Sequence, residues 1–370
     1  MFIHTTKVSN SALQYLSGVV RALRYISLHK IVNIIRLRIS FHYSQITRKS
    51  KLLGMPWALS IEPTTHCNLR CPECPSGLRS FTRETGNMTM EDFKAIIIQL
   101  HKVVIHLNLY FQGEPFLNSH LSSMVAFAHM HHIHTSISTN GHYMNEKIAE
   151  SLVNAGLDQI IFSIDGVTSS TYAAYRIGGN LDAVLKNMSC LASVKKRLRS
   201  KYPKIIWQTV IFSHNEHEVE WITAHYRNYG ADALQLKTAQ LYRLNSNDLL
   251  PRNPKWTRYK KDSIGYQIKN TLENKCWRMW SSSVITWNGY VIPCCFDKDA
   301  EYRMGSLKKE RFYNIWTNTA YDNFRKTLLD NRKSIKMCQN CTEGSKVWAS
   351  LSFKLNTCLY SLNFYCGITV

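Results

Sequence analysis

The chain has 370 residues, of which 45% are hydrophobic, and a formal net charge of +21. The composition is that of a folded protein rather than a disordered one. The positive charge favours an anionic partner, such as nucleic acid, an acidic membrane surface or an acidic substrate.

The 11 cysteines are an odd number, and the first residues never form the apolar run of a secretory signal peptide. A disulfide framework is therefore not expected, and reduced thiols in the cytoplasm fit better. No run of about 18 apolar residues occurs, so no single membrane-spanning helix is expected.

Residues 1–53 form the first predicted segment, which contains nine Lys or Arg residues and no Asp or Glu. Apolar residues recur through it at roughly helical spacing, which predicts one or two basic amphipathic helices. These are Leu16, Val20, Leu23, Ile31, Ile34 and Ile35. Three interpretations stay open: the apolar stripe packs on the main domain, it lies on an anionic membrane as a peripheral contact, or the segment is a transit peptide.

Residues 54–245 alternate between strand-like and helix-like segments, which predicts parallel βαβ units. The strand candidates are Trp57–Glu62, Val103–Tyr110, Ile133–Ser138, Gln159–Ser163, Ile205–Ile211 and Ala233–Lys237. Thr89 is predicted to cap a helix over Met90–His101. Six units are fewer than the eight of a complete barrel, so the fold class is α/β with a partial (β/α)6 parallel barrel.

A polar loop follows each of the first four strands. The loops are HCNLRCPECP (His66–Pro75), QGEP (Gln112–Pro115), STNG (Ser138–Gly141) and SIDG (Ser163–Gly166). Parallel barrels place their chemistry at the carboxyl ends of the strands. These four loops are therefore expected to converge on one pocket.

Residues 246–345 are predicted to form a small cysteine-rich domain. The polar segment 241–275 is predicted to connect it to the preceding domain and overlaps its first residues. Within it, Thr286–Cys295 predicts a β-hairpin with its tight turn at Asn288-Gly289. Its cysteines are Cys276, Cys294, Cys295, Cys338 and Cys341, and four such thiolates also suit zinc. The remaining residues, 346–370, form a tail without an interpretable motif.

Cys67, Cys71 and Cys74 have the spacing Cys-x3-Cys-x2-Cys. Structural zinc usually takes four protein ligands, and a redox pair leaves Cys67 unexplained. An iron–sulfur cluster is held by thiolates and tolerates compact cysteine runs. Three thiolates for four irons would leave one iron open to bind another molecule.

The motif Cys67-Asn-Leu-Arg-Cys71-Pro-Glu-Cys74 at the end of the first strand resembles that of the radical S-adenosylmethionine (SAM) superfamily. QGEP, STNG and SIDG with the later Tyr175-Arg176 extend the resemblance over residues 56–240. It implies a [4Fe–4S] cluster on the three cysteines, with SAM chelating the open iron. Reductive cleavage of SAM would then yield a 5′-deoxyadenosyl radical that removes a hydrogen atom from substrate.

The resemblance also implies SAM contacts: Gly113 and Glu114 at the amino group, Ser163 and Arg176 at the ribose or carboxylate, and Asn140 less directly. A surface salt bridge is the alternative role of Arg176. Two positions depart from the family. Glu73 stands where many members carry an aromatic residue, and Gln112 replaces the first of two glycines.

The spacing of Cys276, Gly289, Cys294 and the Cys338-x2-Cys341 pair is similar to that of SPASM/twitch extensions of radical SAM enzymes. It implies one auxiliary [4Fe–4S] cluster on Cys276, Cys294, Cys338 and Cys341, with Cys295 as the alternative to Cys294. Zinc is the alternative metal.

Other thiols and imidazoles are interpreted as not functional. Cys190, Cys358 and Cys366 are interpreted as incidental thiols. The four histidines of His129–His134 are expected to lie in a turn, away from the carboxyl ends of the strands.

The predicted function is a radical SAM enzyme that abstracts hydrogen from a small-molecule or membrane-associated substrate, with an electron donor such as flavodoxin or ferredoxin. A peptide-modifying SPASM maturase is the alternative, although the 53 upstream residues are too few and too basic for a peptide-recognition domain. A non-catalytic zinc protein that binds nucleic acid explains the charge and the thiols but not the converging loops. Nucleic acid is therefore not expected as a partner.

Overall fold

The computed structural model describes residues 23–241, 249–261, 266–269 and 271–341. The predictions for residues 1–22, for Cys358 and Cys366 and for the tail lie outside these residues. Most of the described strands form one nine-stranded sheet with the order β11-β10-β9-β1-β2-β3-β4-β5-β6, and β7 pairs with β8 separately. The strands are β1 Ala58–Ile61, β2 His106–Asn108, β3 His134–Thr139, β4 Gln159–Ser163, β5 Lys204–Ile211, β6 Ala233–Thr238, β7 Tyr259–Lys261, β8 Tyr266–Ile268, β9 Ser282–Ile285, β10 Tyr290–Ile292 and β11 Gly305–Ser306.

Strands β1 to β6 are parallel, and a helix lies between each of them and the next. The described α-helices are α1 Leu28–Thr47, α2 Pro75–Leu78, α3 Met90–Leu100, α4 Leu121–Met130, α5 Glu146–Asn154, α6 Ser169–Tyr175, α7 Leu181–Arg197, α8 Val219–His225, α9 Arg278–Ser281, α10 Phe312–Thr317, α11 Thr319–Asn331 and α12 Lys336–Gln339. The Thr89 hydroxyl accepts a hydrogen bond from the Asp92 amide and caps α3, as predicted. The partial parallel barrel is therefore confirmed.

The two faces of the sheet differ in polarity. Leu59, Leu107, Ile137 and Ile160 belong to the large core cluster between the sheet and its helices. The alternating positions Ser60, Asn108, Ser136 and Gln159 stand side by side across β1 to β4. Because successive residues of a strand point to opposite faces, the inner face of this part of the barrel is polar.

The predicted strand over Val103–Tyr110 is shorter in the structure, where β2 contains only His106–Asn108. The amides of Val103 and Val104 still bond to the Leu100 carbonyl at the end of α3. Those two valines therefore finish the helix, although their β-branched side chains favour a strand.

The C-terminal hairpin joins the barrel sheet. Its turn lies where predicted, since Gly289 has φ +84° and its amide bonds to the Thr286 carbonyl. Strand β9 then pairs in parallel with β1, so that Ala58 lies opposite Ser282. The cysteine-rich segment thus continues the barrel sheet at β1, and the boundaries at 53, 245 and 345 stay predictions.

Helix α1 agrees only in part with the expectation that the N-terminal apolar stripe packs on the main domain. Leu23, Ile31 and Ile35 are exposed, whereas Ile34 packs against a core cluster that contains the buried Leu37. Asn33, on the same inward side, forms two hydrogen bonds of 2.8 Å with the backbone of Met55. Apolar contacts and polar bonds together therefore hold this side of the helix inward.

Helix α1 lies at the amino ends of the strands. The Lys30 ammonium donates to the carbonyl of His132, which precedes β3, and Tyr25 donates to Asp158, which precedes β4. None of the helices in the described ranges is both long and apolar enough to cross a bilayer.

Candidate active site

The loop with the first three cysteines leaves β1 at its carboxyl end and is held by a buried ion pair. Arg83 donates two hydrogen bonds to Glu62, of 2.8 and 2.6 Å, and both side chains are buried. The Cys74 amide then bonds to the Cys71 carbonyl as the chain enters α2. A Cβ on Gly77 would lie 2.6 Å from the Cys71 nitrogen, so the loop wraps closely around α2.

Burial disfavours ionisation of the Cys67 and Cys71 thiols more than the nearby Arg176 favours it. It raises the pKa of Cys67 to about 11, with further contributions from Glu114 and Cys74, and raises the pKa of Cys71 to about 12. Metal ligation requires thiolates, and iron supplies the positive charge that makes a buried thiolate stable. The chemistry of this donor set fits an iron–sulfur cluster.

Glu114 follows β2 and turns its carboxylate into the pocket. It accepts hydrogen bonds of 2.7 Å from the Thr139 hydroxyl and from the Asn140 amide. Burial raises its pKa to about 7. Gly113 has φ +73°, and a Cβ there would lie 2.4 Å from the Thr64 carbonyl oxygen, so the turn before Glu114 requires glycine.

Gln112, which replaces a family glycine, is buried beside this turn. Its amide nitrogen donates to the Phe111 carbonyl, but its side-chain oxygen has no hydrogen-bond partner among the described residues. A buried acceptor without a partner costs about 1–3 kcal/mol. A bound molecule with a donor next to Glu114, such as the ammonium group of SAM, would remove that cost.

Asn140 and Arg176 bring two other loops to the cysteines. The Asn140 amide nitrogen lies 3.9 Å from the Cys67 sulfur, and an Arg176 guanidinium nitrogen lies 3.9 Å from the Cys71 sulfur. Arg176 is 4% exposed and bonds at 2.6 Å to Asp165, so the alternative of a surface salt bridge is wrong. Ser163 is buried at the end of β4. The four predicted loops thus converge, and Asp165 is a member that the sequence analysis missed.

The five cysteines of the second set are all buried. Burial lowers the pKa of Arg332, but the adjacent thiols of Cys276, Cys341 and Cys338 raise it more. The Cys294 thiol interacts with Cys295, by a hydrogen bond, and with Cys341 and Cys276 by charge. The predicted ligands therefore lie together, and their roles as ligands stay predictions.

Two arginines accompany this second set and were not predicted. Arg332 donates to the Cys341 sulfur over 3.1 Å, and Arg278 donates to the Cys295 sulfur over 3.6 Å. Arg278 stands two residues after Cys276, which was a local signal. Arg332 approaches the thiols only through the fold. Both cations favour the thiolate forms that bind metal.

Throughout the described ranges, no group of three His, Cys, Asp or Glu side chains is arranged to hold one metal ion. The choice between an iron–sulfur cluster and zinc at the second set stays a prediction.

The histidines of His129–His134 lie from the end of α4 to the start of β3. His134 begins β3 and stacks on His106, with 4.9 Å between the ring centroids. This pair lies toward the amino ends of the strands, away from Cys67, as the sequence analysis expected.

Tyr259 connects the two cysteine sets. Its ring belongs to the same apolar cluster as Cys71 and Cys74. Its hydroxyl donates to the Asn340 side chain over 2.9 Å and accepts from the Leu241 amide over 3.0 Å. Asn340 stands between Cys338 and Cys341 and returns a bond of 2.6 Å to the Leu241 carbonyl. Burial raises the pKa of the Tyr259 hydroxyl, and Glu73, which stands where many family members carry an aromatic residue, lies close enough for its charge to raise that pKa further. This acid therefore lies beside the residue that connects the two cysteine sets.

A small cavity lies between the polar inner face and the second cysteine set. The residues that line it come from β1, β2, β9 and the second cysteine set: Ala58, Leu59, Ser60, Asn108, Arg278, Ser282, Ser283, Val284, Cys294 and Cys295. Asn108 donates to Ser60 and bonds to His106, so the polar groups on this side form a connected row.

Comparison with known protein families agrees with this arrangement. The model of the radical SAM superfamily matches residues 61–219, and that of the SPASM iron–sulfur cluster-binding domain matches residues 276–342. The chain belongs to the radical SAM superfamily. It is a radical SAM enzyme with a C-terminal SPASM domain, as the motifs predicted, and iron–sulfur and SAM chemistry follow from that membership.

Two curated relatives and one solved structure show how far the enzyme's similarity extends. It is 23% identical to the tungsten-containing aldehyde ferredoxin oxidoreductase cofactor-modifying protein of Pyrococcus furiosus, over 77% of this chain and 86% of the relative. It is also 23% identical to the SAM-dependent 2-deoxy-scyllo-inosamine dehydrogenase of Niallia circulans, over 80% and 95% of the two chains. SuiB of Streptococcus suis bound to SAM superposes with a TM-score of 0.60 at 15% identity, over 84% of this chain and 77% of SuiB. This last likeness concerns the fold.

Proposed function

We propose that the enzyme removes a hydrogen atom from a polar small molecule and oxidises it. The observation that carries this proposal is the polar inner face of the barrel. Barrel interiors are usually filled with bulky branched side chains. Here Ser60, Asn108, Ser136 and Gln159 occupy adjacent inward positions, and Gln159 bonds to Ser136. Such side chains suit a substrate with hydroxyl or amino groups.

The polar inner face of the barrel continues beyond β4. Ser163, Gln208 and Gln235 are paired across β4, β5 and β6, and Gln208 donates to Gln235 over 2.6 Å. These amides and hydroxyls are uncharged, so they offer hydrogen bonds without selecting for a strongly charged ligand. The similarity to a dehydrogenase of an amino-substituted cyclitol supports the same substrate class.

Cys67, Cys71 and Cys74 would hold the [4Fe–4S] cluster that binds SAM. When bound, the cluster and SAM supply the 5′-deoxyadenosyl radical that accepts the substrate hydrogen. Glu114 and the unpaired Gln112 oxygen would receive the SAM ammonium. Asp165 holds Arg176 at the Cys71 side of the pocket, where its cation would bind an anionic group of SAM.

Cys276, Cys294, Cys338 and Cys341 would hold one auxiliary [4Fe–4S] cluster. The cavity that Cys294 and Cys295 share with Ser60 and Asn108 supports a position of this site next to the proposed substrate space. When bound, an auxiliary cluster there would supply an acceptor for the second electron of the substrate oxidation or a point of attachment for the substrate. A reduced flavodoxin or ferredoxin would be the electron donor for SAM cleavage.

The iron content per chain tests whether the SPASM domain holds one auxiliary cluster. Anaerobically reconstituted protein should contain about eight irons per chain, because two clusters of four are expected. Cys341→Ala should reduce this to about four, while Cys190→Ala, a half-buried thiol on α7, should leave it unchanged. A colourless protein with stoichiometric zinc would contradict the proposal. The variants Cys294→Ala and Cys295→Ala, compared in the same way, identify the fourth ligand.

The substrate class is tested by isotope transfer. The reconstituted enzyme is incubated with SAM and either deuterated aminocyclitols and sugars or deuterated peptides. Deuterium should enter 5′-deoxyadenosine from a member of the first group. Transfer only from peptides would instead support the alternative of a peptide maturase.

A further inference from the structure

Helix α1 presents its apolar side to solvent. The exposed large apolar residues recur every three or four positions along one side of the helix, and they are Leu28, Ile31, Val32, Ile35, Ile39, Tyr43 and Ile46. Leu28 is 76% exposed, Ile39 56% and Ile46 83%. We name these seven residues the outer stripe. Leu28 and Ile46 are 18 positions apart, so the outer stripe is about 27 Å long at a helical rise of about 1.5 Å per residue.

The orientation of α1 is specified by its inner side. Asn33 is fixed to the backbone of Met55 by two bonds, and the Lys30 ammonium bonds to the His132 carbonyl over 2.7 Å. Ser44 accepts from the Lys51 amide over 2.9 Å. Turning the helix to bury the outer stripe would break these bonds and leave their buried partners unsatisfied. The stripe is thus a stable feature of the surface.

A contiguous apolar surface of this length marks an interaction site, since removing exposed isoleucine side chains from water is favourable. Basic groups surround it. Arg24, Arg36, Arg48 and Lys49 are exposed on α1 or next to its ends. No Asp or Glu occurs in the chain before Glu62. An apolar stripe with basic flanks and no acid complements the boundary between acyl chains and anionic headgroups.

We propose that the outer stripe of α1 binds the surface of an anionic lipid bilayer. The helix would lie in the membrane plane, with its isoleucines among the acyl chains and its arginines at the headgroups. A second copy of the chain fits less well, because apposed stripes would bring like-charged flanks together. This proposal does not depend on the substrate of the enzyme.

The position of α1 determines how the bound enzyme would be oriented. The helix lies at the amino ends of β1 and β3 through its contacts with Met55 and His132, and Tyr25, just before the helix, contacts Asp158 at the amino end of β4. Cys67 and the other site loops leave the opposite ends of the strands. A bilayer against α1 therefore leaves the pocket facing the aqueous side, where a dissolved polar substrate arrives.

Sedimentation with vesicles tests the proposal. The full chain, reconstituted anaerobically, is mixed with vesicles of pure phosphatidylcholine or of equal parts phosphatidylcholine and phosphatidylglycerol. Binding should be strong only for the anionic vesicles and should weaken with salt. Ile39→Ser should reduce the partition coefficient about tenfold, because it removes apolar surface from the lipid.

Ile98→Ser provides the matched control. Ile98 is 54% exposed, almost as much as Ile39, but lies on α3. This variant should bind the anionic vesicles as the unmodified chain does, and both variants should form 5′-deoxyadenosine normally. Equal effects of the two substitutions, or no binding of the full chain to anionic vesicles, would overturn the proposal.

Two other measurements test whether a second copy of the chain, or another part of the same chain, covers the outer stripe instead of a membrane. A dimer in solution that Ile39→Ser dissociates would show that a second copy covers the stripe. A large fall in the thermal midpoint of Ile39→Ser without lipid would show that the chain itself covers it. The membrane proposal predicts a monomer–dimer distribution and a thermal midpoint that Ile39→Ser leaves unchanged.

Discussion

Among single residues, Glu114 is the proposed contact of the SAM ammonium group, and its protonation should therefore be linked to SAM binding. Burial raises the pKa of its carboxyl group from an ordinary value of 4.5 to about 7. The protein without SAM therefore penalises the ionised form, which the SAM ammonium group would stabilise. Binding should release a proton below about pH 7, and the SAM affinity should rise with pH up to that value and then level off.

Equilibrium binding of SAM to the reconstituted enzyme across this pH range measures the effect. Glu114→Gln should weaken binding about tenfold at neutral pH and remove the pH dependence, because the amide does not titrate. Glu301→Gln, at an exposed carboxylate, should behave like the unmodified enzyme. A pH profile that Glu114→Gln preserves would contradict the role of Glu114.

The buried pair of Glu62 and Arg83 should dominate the stability of the first cysteine loop. Arg83→Met leaves a fully buried carboxylate without its partner, and we expect the free energy of unfolding in urea to fall by about 3–5 kcal/mol. Lys308→Met removes one side of the exposed pair with Asp92 and should cost less than about 1 kcal/mol. Equal losses would show that Arg83 contributes no more than a surface charge.

The residues of the site differ in how far the sequence predicted them. Cys67, Cys71 and Cys74 could be predicted as a ligand set because all three lie in one loop with a recognisable spacing. Asp165 also lay within a recognised loop, but its role as the partner of Arg176 depends on a contact between two loops. Arg332 stands six residues before Cys338 but outside the cysteine motif, so its contact with the Cys341 sulfur and its proximity to Cys276 depend on the fold.

At the scale of elements, the connection through Tyr259 should support both cysteine sets. Tyr259→Phe removes the bond to Asn340 and leaves the buried Leu241 amide without its acceptor, which should cost about 1–3 kcal/mol. Tyr313→Phe, at a tyrosine that is 62% exposed, should cost nothing measurable. Urea unfolding of the two variants under identical anaerobic conditions compares them. Equal urea midpoints of the two variants would show that the hydrogen bonds of Tyr259 do not contribute to stability.

The elements that the sequence predicted are those whose signals are local. Strand β4 begins and ends where predicted, and the Gly289 turn forms as its sequence requires. The pairing of β9 with β1 could not be predicted, since Ala58 and Ser282 are remote in the chain and each strand is short and buried. A helix was predicted in the region of α1, but its inward side combines the apolar Leu37 and Phe41 with Asn33, whose bonds to Met55 no hydrophobic pattern reveals.

At the scale of the whole molecule, one sheet organises the functional parts. The first cysteine set leaves the carboxyl end of β1, and β9 beside it leads into the hairpin that carries Cys294. The polar inner face borders the cavity at Cys294, and α1 closes the amino ends of the strands. This arrangement puts the exposed outer stripe of α1 and the cysteine loops at opposite ends of the strands, and a cavity lies between the polar inner face and the second cysteine set.

The central claim is that the enzyme cleaves SAM reductively at Cys67, Cys71 and Cys74. The most direct measurement is the formation of 5′-deoxyadenosine and methionine by the anaerobically reconstituted chain with dithionite and SAM. We predict that the unmodified enzyme and Cys190→Ala form both products, and that Cys71→Ala forms neither. Absence of 5′-deoxyadenosine from the unmodified enzyme with a full complement of iron, or undiminished formation by Cys71→Ala, would contradict the account.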